Sequence, residues 1–262
     1  MPSRTRYPRM NMGSKNELAK RIAGKKLPFA DALQLINDAL AGFDGQWYDS
    51  ASSEPEKDKW VRSAVGTPLG RVLSLVDKKV LAPYDELIPD FIFGGVSGRS
   101  HVKAVAHLLG NQRQRVLLGL DITKFFEQIH EDRVFNFFCA KASCNPRVAR
   151  LLARLCCVAR GPKEKPEPEK SLARGFATSP RLALWCNLDT FLKLDWAMKK
   201  RFHGHDPRIA IYVDDIGITA SRVDKADMEA MFLVAKGILE NADHRQKLPL
   251  NQDKKKVRSS AD

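Results

Sequence analysis

Apolar positions recur along this chain at two periods, and each period marks a different kind of element. Phe29, Leu33, Ile36 and Leu40 share one helical face, which predicts an amphipathic helix over 28–40. The same spacing predicts helices over 69–88, 133–142, 148–159 and 224–241, and a long one from Pro180 to about Phe202. In 224–241 the apolar side carries Met228, Met231, Phe232 and Ile238, with methionine acting as core filler. A further helix carries Val102, Val105, Ala106 and Leu109, with His107 as a core or capping residue. Two stretches lack the helical period. Val116–Leu120 is a short apolar run that reads as a buried strand with Asp121 at its end. Residues 209–220, Ile-Ala-Ile-Tyr-Val-Asp-Asp-Ile-Gly-Ile-Thr-Ala, place two β-branched runs around paired acids, and Gly217 suits them to a tight hairpin.

The polar stretches between these elements are loops. Residues 42–58 are rich in Gly, Ser, Asp and Glu. Residues 91–100 (Phe-Ile-Phe-Gly-Gly-Val-Ser-Gly-Arg-Ser) form a Gly-rich segment whose backbone is free to approach another group closely, and Arg99 is its lone cation. The segment is not a nucleotide-binding P-loop, because it lacks the terminal Gly-Lys-Ser/Thr. Residues 161–171 alternate Pro, Lys and Glu and form a solvated loop, not a domain linker. Residues 1–26 hold eight Lys/Arg against one acid and no apolar segment of the secretory kind, so they are expected to form a flexible basic arm.

Charge narrows the picture. The chain of 262 residues is 44% hydrophobic, enough for one large domain or two joined subdomains, and its 44 Lys+Arg against 31 Asp+Glu leave it at +13. That balance points to an anionic polymer, and without a run of membrane-spanning length nucleic acid is favoured over a membrane. The five cysteines form no Cys-x-x-Cys pair and read as reduced, mostly buried thiols of a cytoplasmic protein. His203 and His205 flank Gly204 without a second ligand cluster, which fits a surface turn better than a zinc site. Lys57, Lys59 and Arg62 surround Trp60 and either face phosphates or form a solvated face.

The acids supply the chemistry. Asp214 and Asp215 repel each other at a turn, and Asp121 closes a buried strand; each arrangement is costly unless a cation compensates it. Neighbouring strands would bring the three together around two Mg²⁺ ions, with Mn²⁺ as a substitute, to activate a 3′-hydroxyl and stabilise a leaving pyrophosphate. On a basic chain this predicts a nucleotidyl transferase acting on nucleic acid.

With those residues in view, the chain from Lys57 to Val257 resembles reverse transcriptases of the bacterial retron and group II intron-like branch, including those of anti-phage defence systems. Tyr212-Val-Asp214-Asp215 resembles the family's Tyr-x-Asp-Asp, and Asp121-Ile-Thr-Lys-Phe125-Phe126 its first acidic motif. Gly175-x-x-x-Ser179-Pro180 is similar to the template- and nucleotide-positioning motif, and Asn251-x-x-Lys254 to the basic motif that follows the palm helix. Phe93-Gly94 through Gly98-Arg99-Ser100 resembles a finger signature, and Ala104-x-x-His107 part of a retron element. Arg174 stands where the family usually has Gln, Ala177 where Pro is common, Gly95 where Phe is usual and Lys103 where Asn precedes Ala104.

The resemblance implies an α+β, right-hand polymerase fold of fingers and palm, with an antiparallel palm sheet backed by helices and the thumb absent or truncated. It implies the arm at 1–26, fingers at 27–114 and palm at 115–258, with 131–174 inserted between two motifs. Asp121, Asp214 and Asp215 become the catalytic metal ligands. Phe126 becomes the ring that excludes a 2′-hydroxyl, so deoxynucleotides are favoured. Nucleotide contacts fall to Phe126, Arg174, Gly175, Lys254, Lys59 and Arg62; template and primer contacts fall to Arg99, Ser179, Pro180 and Tyr212. The implied partners are an RNA template, a DNA product, deoxynucleoside triphosphates, a cognate structured RNA and an effector protein. Two alternatives stand beside RNA-templated DNA synthesis: template-independent or protein-primed synthesis, and a non-catalytic RNA-binding subunit or fragment.

Overall fold

A computed structural model describes residues 7–111, 115–241 and 247–259. Among these residues the chain is mixed α+β. In chain order the helices are α1 (Lys15–Ile22), α2 (Phe29–Ala41), α3 (Pro68–Val76), α4 (His101–Leu109), α5 (Glu131–Asn136), α6 (Pro146–Cys156), α7 (Ser179–Arg201) and α8 (Lys225–Asn241). The strands are β1 (Tyr48–Asp49), β2 (Arg62–Ser63), β3 (Val116–Asp121), β4 (Cys157–Ala159), β5 (Lys170–Leu172), β6 (Arg208–Tyr212), β7 (Asp215–Ala220) and β8 (Lys256–Ser259). No described helix is long and apolar enough to cross a membrane.

Two compact units interleave in sequence: one takes 88–125 and 187–262, the other 6–87 and 126–186. These bounds differ from the expected division into 27–114 and 115–258. The first unit is built on a four-stranded antiparallel sheet in the order β6-β7-β3-β8. β3 is central, as its apolar run requires. Ile209, Ile211, Ile216, Ile218, Leu118 and Leu120 are all buried, so one face of the sheet is a continuous β-branched and leucine layer. On the alternate positions a row of small residues, Ala210, Gly217 and Gly119, crosses β6, β7 and β3 in register. α4 lies against β6 and β7. A Cβ on Gly217 would come within 2.7 Å of Leu108, so this glycine admits the helix and does not make the hairpin turn, as the sequence reading had it. Arg115, buried, ties the start of β3 to Asp206 at 2.7 Å and to the Thr219 hydroxyl at 3.1 Å.

α4 differs from its expectation in one respect. Its inward residues are Ala104 and half-buried Leu108, while Val102, Val105, Ala106 and Leu109 are exposed, Val102 at 78%. His107 sits against the Phe93 ring at 5.5 Å, and burial with the nearby Arg208 charge lowers its pKa.

The second unit is largely helical, with α1 against α2, α2 against α3 and α5 against α6. Its N-terminal segment corrects the expectation of a flexible arm. Met10 and Met12 are buried, α1 buries Leu18, Ala19 and Ile22, and the Met10 amide donates to the Ala142 carbonyl at 2.9 Å. The remaining arm residues, 1–6, lie outside the described residues. The helix expected at 69–88 is α for Pro68–Val76, widens into a π turn over Asp77–Leu81 and then tightens into 3-10 turns over Ala82–Leu87. Those turns bring Asp77 and Asp85 to Arg181 at the start of α7, with Arg181 Nε 2.7 Å from Asp85 Oδ1. Arg181 is 6% exposed, so its charge depends on both carboxylates. Replacing it by Met should cost about 3 kcal/mol, because two acids are left without their cation; urea unfolding of the variant checks this.

Candidate catalytic site

The hairpin of the first unit explains how adjacent acids are held together. Tyr212 pairs with Asp215, leaving Val213 and Asp214 as a two-residue turn. Val213 has φ +60° and Asp214 is not in the left-handed region, the pattern of a turn that normally takes glycine first. A β-branched residue there is strained, at a cost of about 1–3 kcal/mol. The surroundings hold it. Residues 91–93 run beside β6, with the Phe93 amide on the Ile211 carbonyl at 2.7 Å and the Ile211 amide on the Phe91 carbonyl at 2.9 Å. This brings Gly94 against the turn, where an added Cβ would be 2.5 Å from the Val213 nitrogen and 2.9 Å from the Tyr212 carbonyl carbon. The Gly-rich segment therefore makes a close backbone approach, and its target is the acidic turn.

Asp215 is also the register partner of Asp121, so Tyr212, Asp215 and Asp121 form one row across three strands. The Ile122 amide donates to the Asp214 carbonyl at 3.0 Å, fixing the turn to the end of β3. Beyond β3, the Thr123 amide donates to the Pro249 carbonyl and the Asn251 amide to the Asp121 backbone carbonyl, at 2.8 and 2.9 Å. The short turn Gln252–Lys254 follows, and Lys254 Nζ donates to Asp121 Oδ1 at 2.8 Å. Asp121 is 8% exposed, Asp214 half-buried and Asp215 open to solvent. Partial burial, then the charges of Asp214 and Asp121, push the Asp215 carboxyl above its ordinary pKa. The Asp121 hydrogen bond, helped by all three acids, holds the Lys254 ammonium above the ordinary lysine value.

All-oxygen donors with an upward-shifted carboxyl are the chemistry a hard divalent cation satisfies. Among the described residues no group of three or more His, Cys, Asp or Glu is drawn into coordinating geometry. Lys254 is the cation the acids face, and Asp121 would exchange it for a metal. Residues of the first unit also account for Tyr212 and Arg99. Tyr212 stacks on His101, with ring centroids 3.4 Å apart. His101 was not anticipated, although Ser100, whose hydroxyl accepts from the Lys103 amide, is a readable N-cap that starts α4 there. Arg99 donates to the carbonyls of Ile88 at 2.7 Å, Ile92 at 2.5 Å and Pro89, so its guanidinium braces the Gly-rich segment.

The other expected site residues belong to the second unit. Arg174 makes a two-pronged bond to Glu127, at 3.0 and 2.9 Å, and lies over the Phe126 ring at 5.4 Å. Glu127 was missed, although it directly follows the aromatic pair. Gly175 has φ +97°, and a Cβ there would be 2.4 Å from the Arg62 carbonyl oxygen, so only glycine suits it. Ser179 is buried and donates to the Ala173 carbonyl at 2.6 Å, and Pro180 begins the first turn of α7. Arg62 is buried on Asp49 and the carbonyls of Ala159 and Gly161, and burial lowers its pKa to about 10. Lys59 and Lys57 bind Glu54 and pull its carboxyl down to about 2. The cations of this cluster are thus paired within the chain, Arg62 in the interior and Lys57 and Lys59 at the surface.

No protein-family model matches the chain, and no curated protein matches it by sequence. The acids therefore stand on their own physical evidence. A raised Asp215 pKa means that stability falls as pH climbs from the ordinary carboxylate range toward the raised value, since the folded state holds its proton more tightly than the unfolded chain. Asp215→Asn should therefore be more stable than the parent at neutral pH without divalent metal, by less than about 1 kcal/mol because the group is solvent-screened. The gain should vanish below the ordinary carboxylate range, as denaturation midpoints at acid and neutral pH will read.

Proposed function

We propose that the chain is an RNA-directed DNA polymerase, with the four-stranded sheet as its palm. The observation that carries this reading is the register of Asp121 opposite Asp215 with Asp214 in the intervening turn, on a chain of charge +13. Asp121, Asp214 and Asp215 would hold two Mg²⁺ ions, which supply activation of a primer 3′-hydroxyl and charge neutralisation at the leaving pyrophosphate. Lys254 keeps its proton at neutral pH and presents a positive charge beside the acids, where a triphosphate would gather negative charge. The Tyr212 ring, fixed by His101, offers a flat face at the end of the row. The choice of deoxynucleotides is assigned to Phe126 on the motif alone, its ring being braced by Arg174. A retron or phage-defence setting, with a cognate structured RNA and an effector protein, belongs to the same reading.

Purified protein given Mg²⁺, an RNA template, a DNA primer and deoxynucleotides should extend the primer. Asp214→Asn should lose this activity at least about a hundredfold. Mg²⁺ alone should raise the melting temperature of the parent and not of a variant carrying Asp121→Asn and Asp214→Asn. Equal incorporation by parent and variant overturns the assignment of the acids. Product of unrelated sequence made without a template would replace templated synthesis by the template-independent alternative.

A further inference from the structure

α6 reads Pro-Arg-Val-Ala-Arg-Leu-Leu-Ala-Arg-Leu-Cys and contains no acid. Val148, Ala149, Leu152, Ala153, Leu155 and Cys156 are buried, while Arg147, Arg150 and Arg154 are exposed on the opposite face. The three arginines stand at i, i+3 and i+7 and line a cavity of about 450 Å³ floored by Leu40, Pro146 and Leu151. Among the described residues none of the three has an ion-pair partner, although Arg62, Arg115, Arg174 and Arg181 all have one. Arg150 lies over the Phe135 ring at 4.6 Å, which holds its guanidinium at the rim.

Like charges one helical turn apart repel, and Arg147 also sits in the first turn, where the helix end is already positive. An anionic partner would relieve both costs. We infer that this face of α6 is a docking surface for single-stranded RNA, separate from the acidic site. Three guanidinium forks spread over about 10 Å of helix match successive phosphates of one backbone. The small apolar floor suits one unstacked base or sugar face and falls short of the row of anchors an amphipathic peptide would need. The choice of RNA over DNA rests on the function proposed above; the phosphate contact does not.

The test is the salt dependence of binding by the full chain, read as fluorescence anisotropy of a labelled oligouridylate without nucleotides or divalent metal. Oligothymidylate and polyglutamate serve as comparison probes. A variant with R147Q, R150Q and R154Q should weaken oligouridylate binding at least about tenfold at low salt and reduce the slope of log K against log salt by about 2. The matching R147K, R150K and R154K variant should keep most of the slope, which separates loss of charge from loss of fold. Equal slopes for the parent and the glutamine variant overturn the inference. So does arginine-dependent binding confined to oligothymidylate or to polyglutamate. A chain that fails to extend primers yet shows the arginine-dependent RNA slope would refute the polymerase reading and leave this surface standing.

Discussion

Three carboxylates at one end of a sheet repel each other, and the first unit is arranged so that they cannot move apart. Register holds Asp121 across from Asp215, and the Ile122–Asp214 hydrogen bond holds the turn to β3. Val213 keeps a positive φ only because Gly94, lacking a side chain, lets the backbone of 91–94 close over it. Relaxing any one of these would let solvent screen the acids individually. Partial burial first, and then the confined charges of Asp214 and Asp121, push the Asp215 carboxyl upward.

The compensation comes from late in the chain. Residues 249–251 pair alongside the end of β3, and β8 adds an edge strand, so the short turn between them delivers Lys254 to Asp121. An ammonium is a modest answer to three acids, since it pairs directly with one and touches the others only through space. The same pocket of negative potential that raises the Lys254 pKa would attract a divalent cation more strongly. Position and charge are therefore set by the fold, while the final geometry around a cation is left to the cation.

Periodicity alone located most of the elements. The strands β3, β6 and β7 and helices α2, α7 and α8 fall where their apolar patterns put them, although α2 buries Ala32, Leu35, Ile36 and Ala39 and leaves Phe29 of the expected face exposed. The acids were legible for the same reason: a strand end and a tight turn each leave a carboxylate with nowhere ordinary to go. Other features depend on contacts distant in sequence. Leu108 alone explains Gly217, which a local reading assigns to the turn. The burial of Met10 and Met12 depends on the second unit's core, which a count of eight cations in the first 26 residues cannot show. β8 carries Lys256 and Arg258 beside Val257, a pattern with no local strand signal, and is a strand because β3 pairs with it.

Arginine marks the sharpest limit of reading charge from composition. Arg62 and Arg99 look like cations waiting for phosphate, yet one is buried on Asp49 and the other is spent on three carbonyls of its own loop. Arg174, one of the residues at odds with the resemblance, is taken up by Glu127 and lies on Phe126. A buried guanidinium needs an acid or a set of carbonyls, so pairing is what separates a cation that holds the fold from one free to meet a ligand. By that criterion the second unit consumes Arg62, Arg174 and Arg181 in its own ion pairs. Arg147, Arg150 and Arg154 on the outer face of α6 are not spent in this way, and they lie in a stretch whose sequence resembles no motif at all.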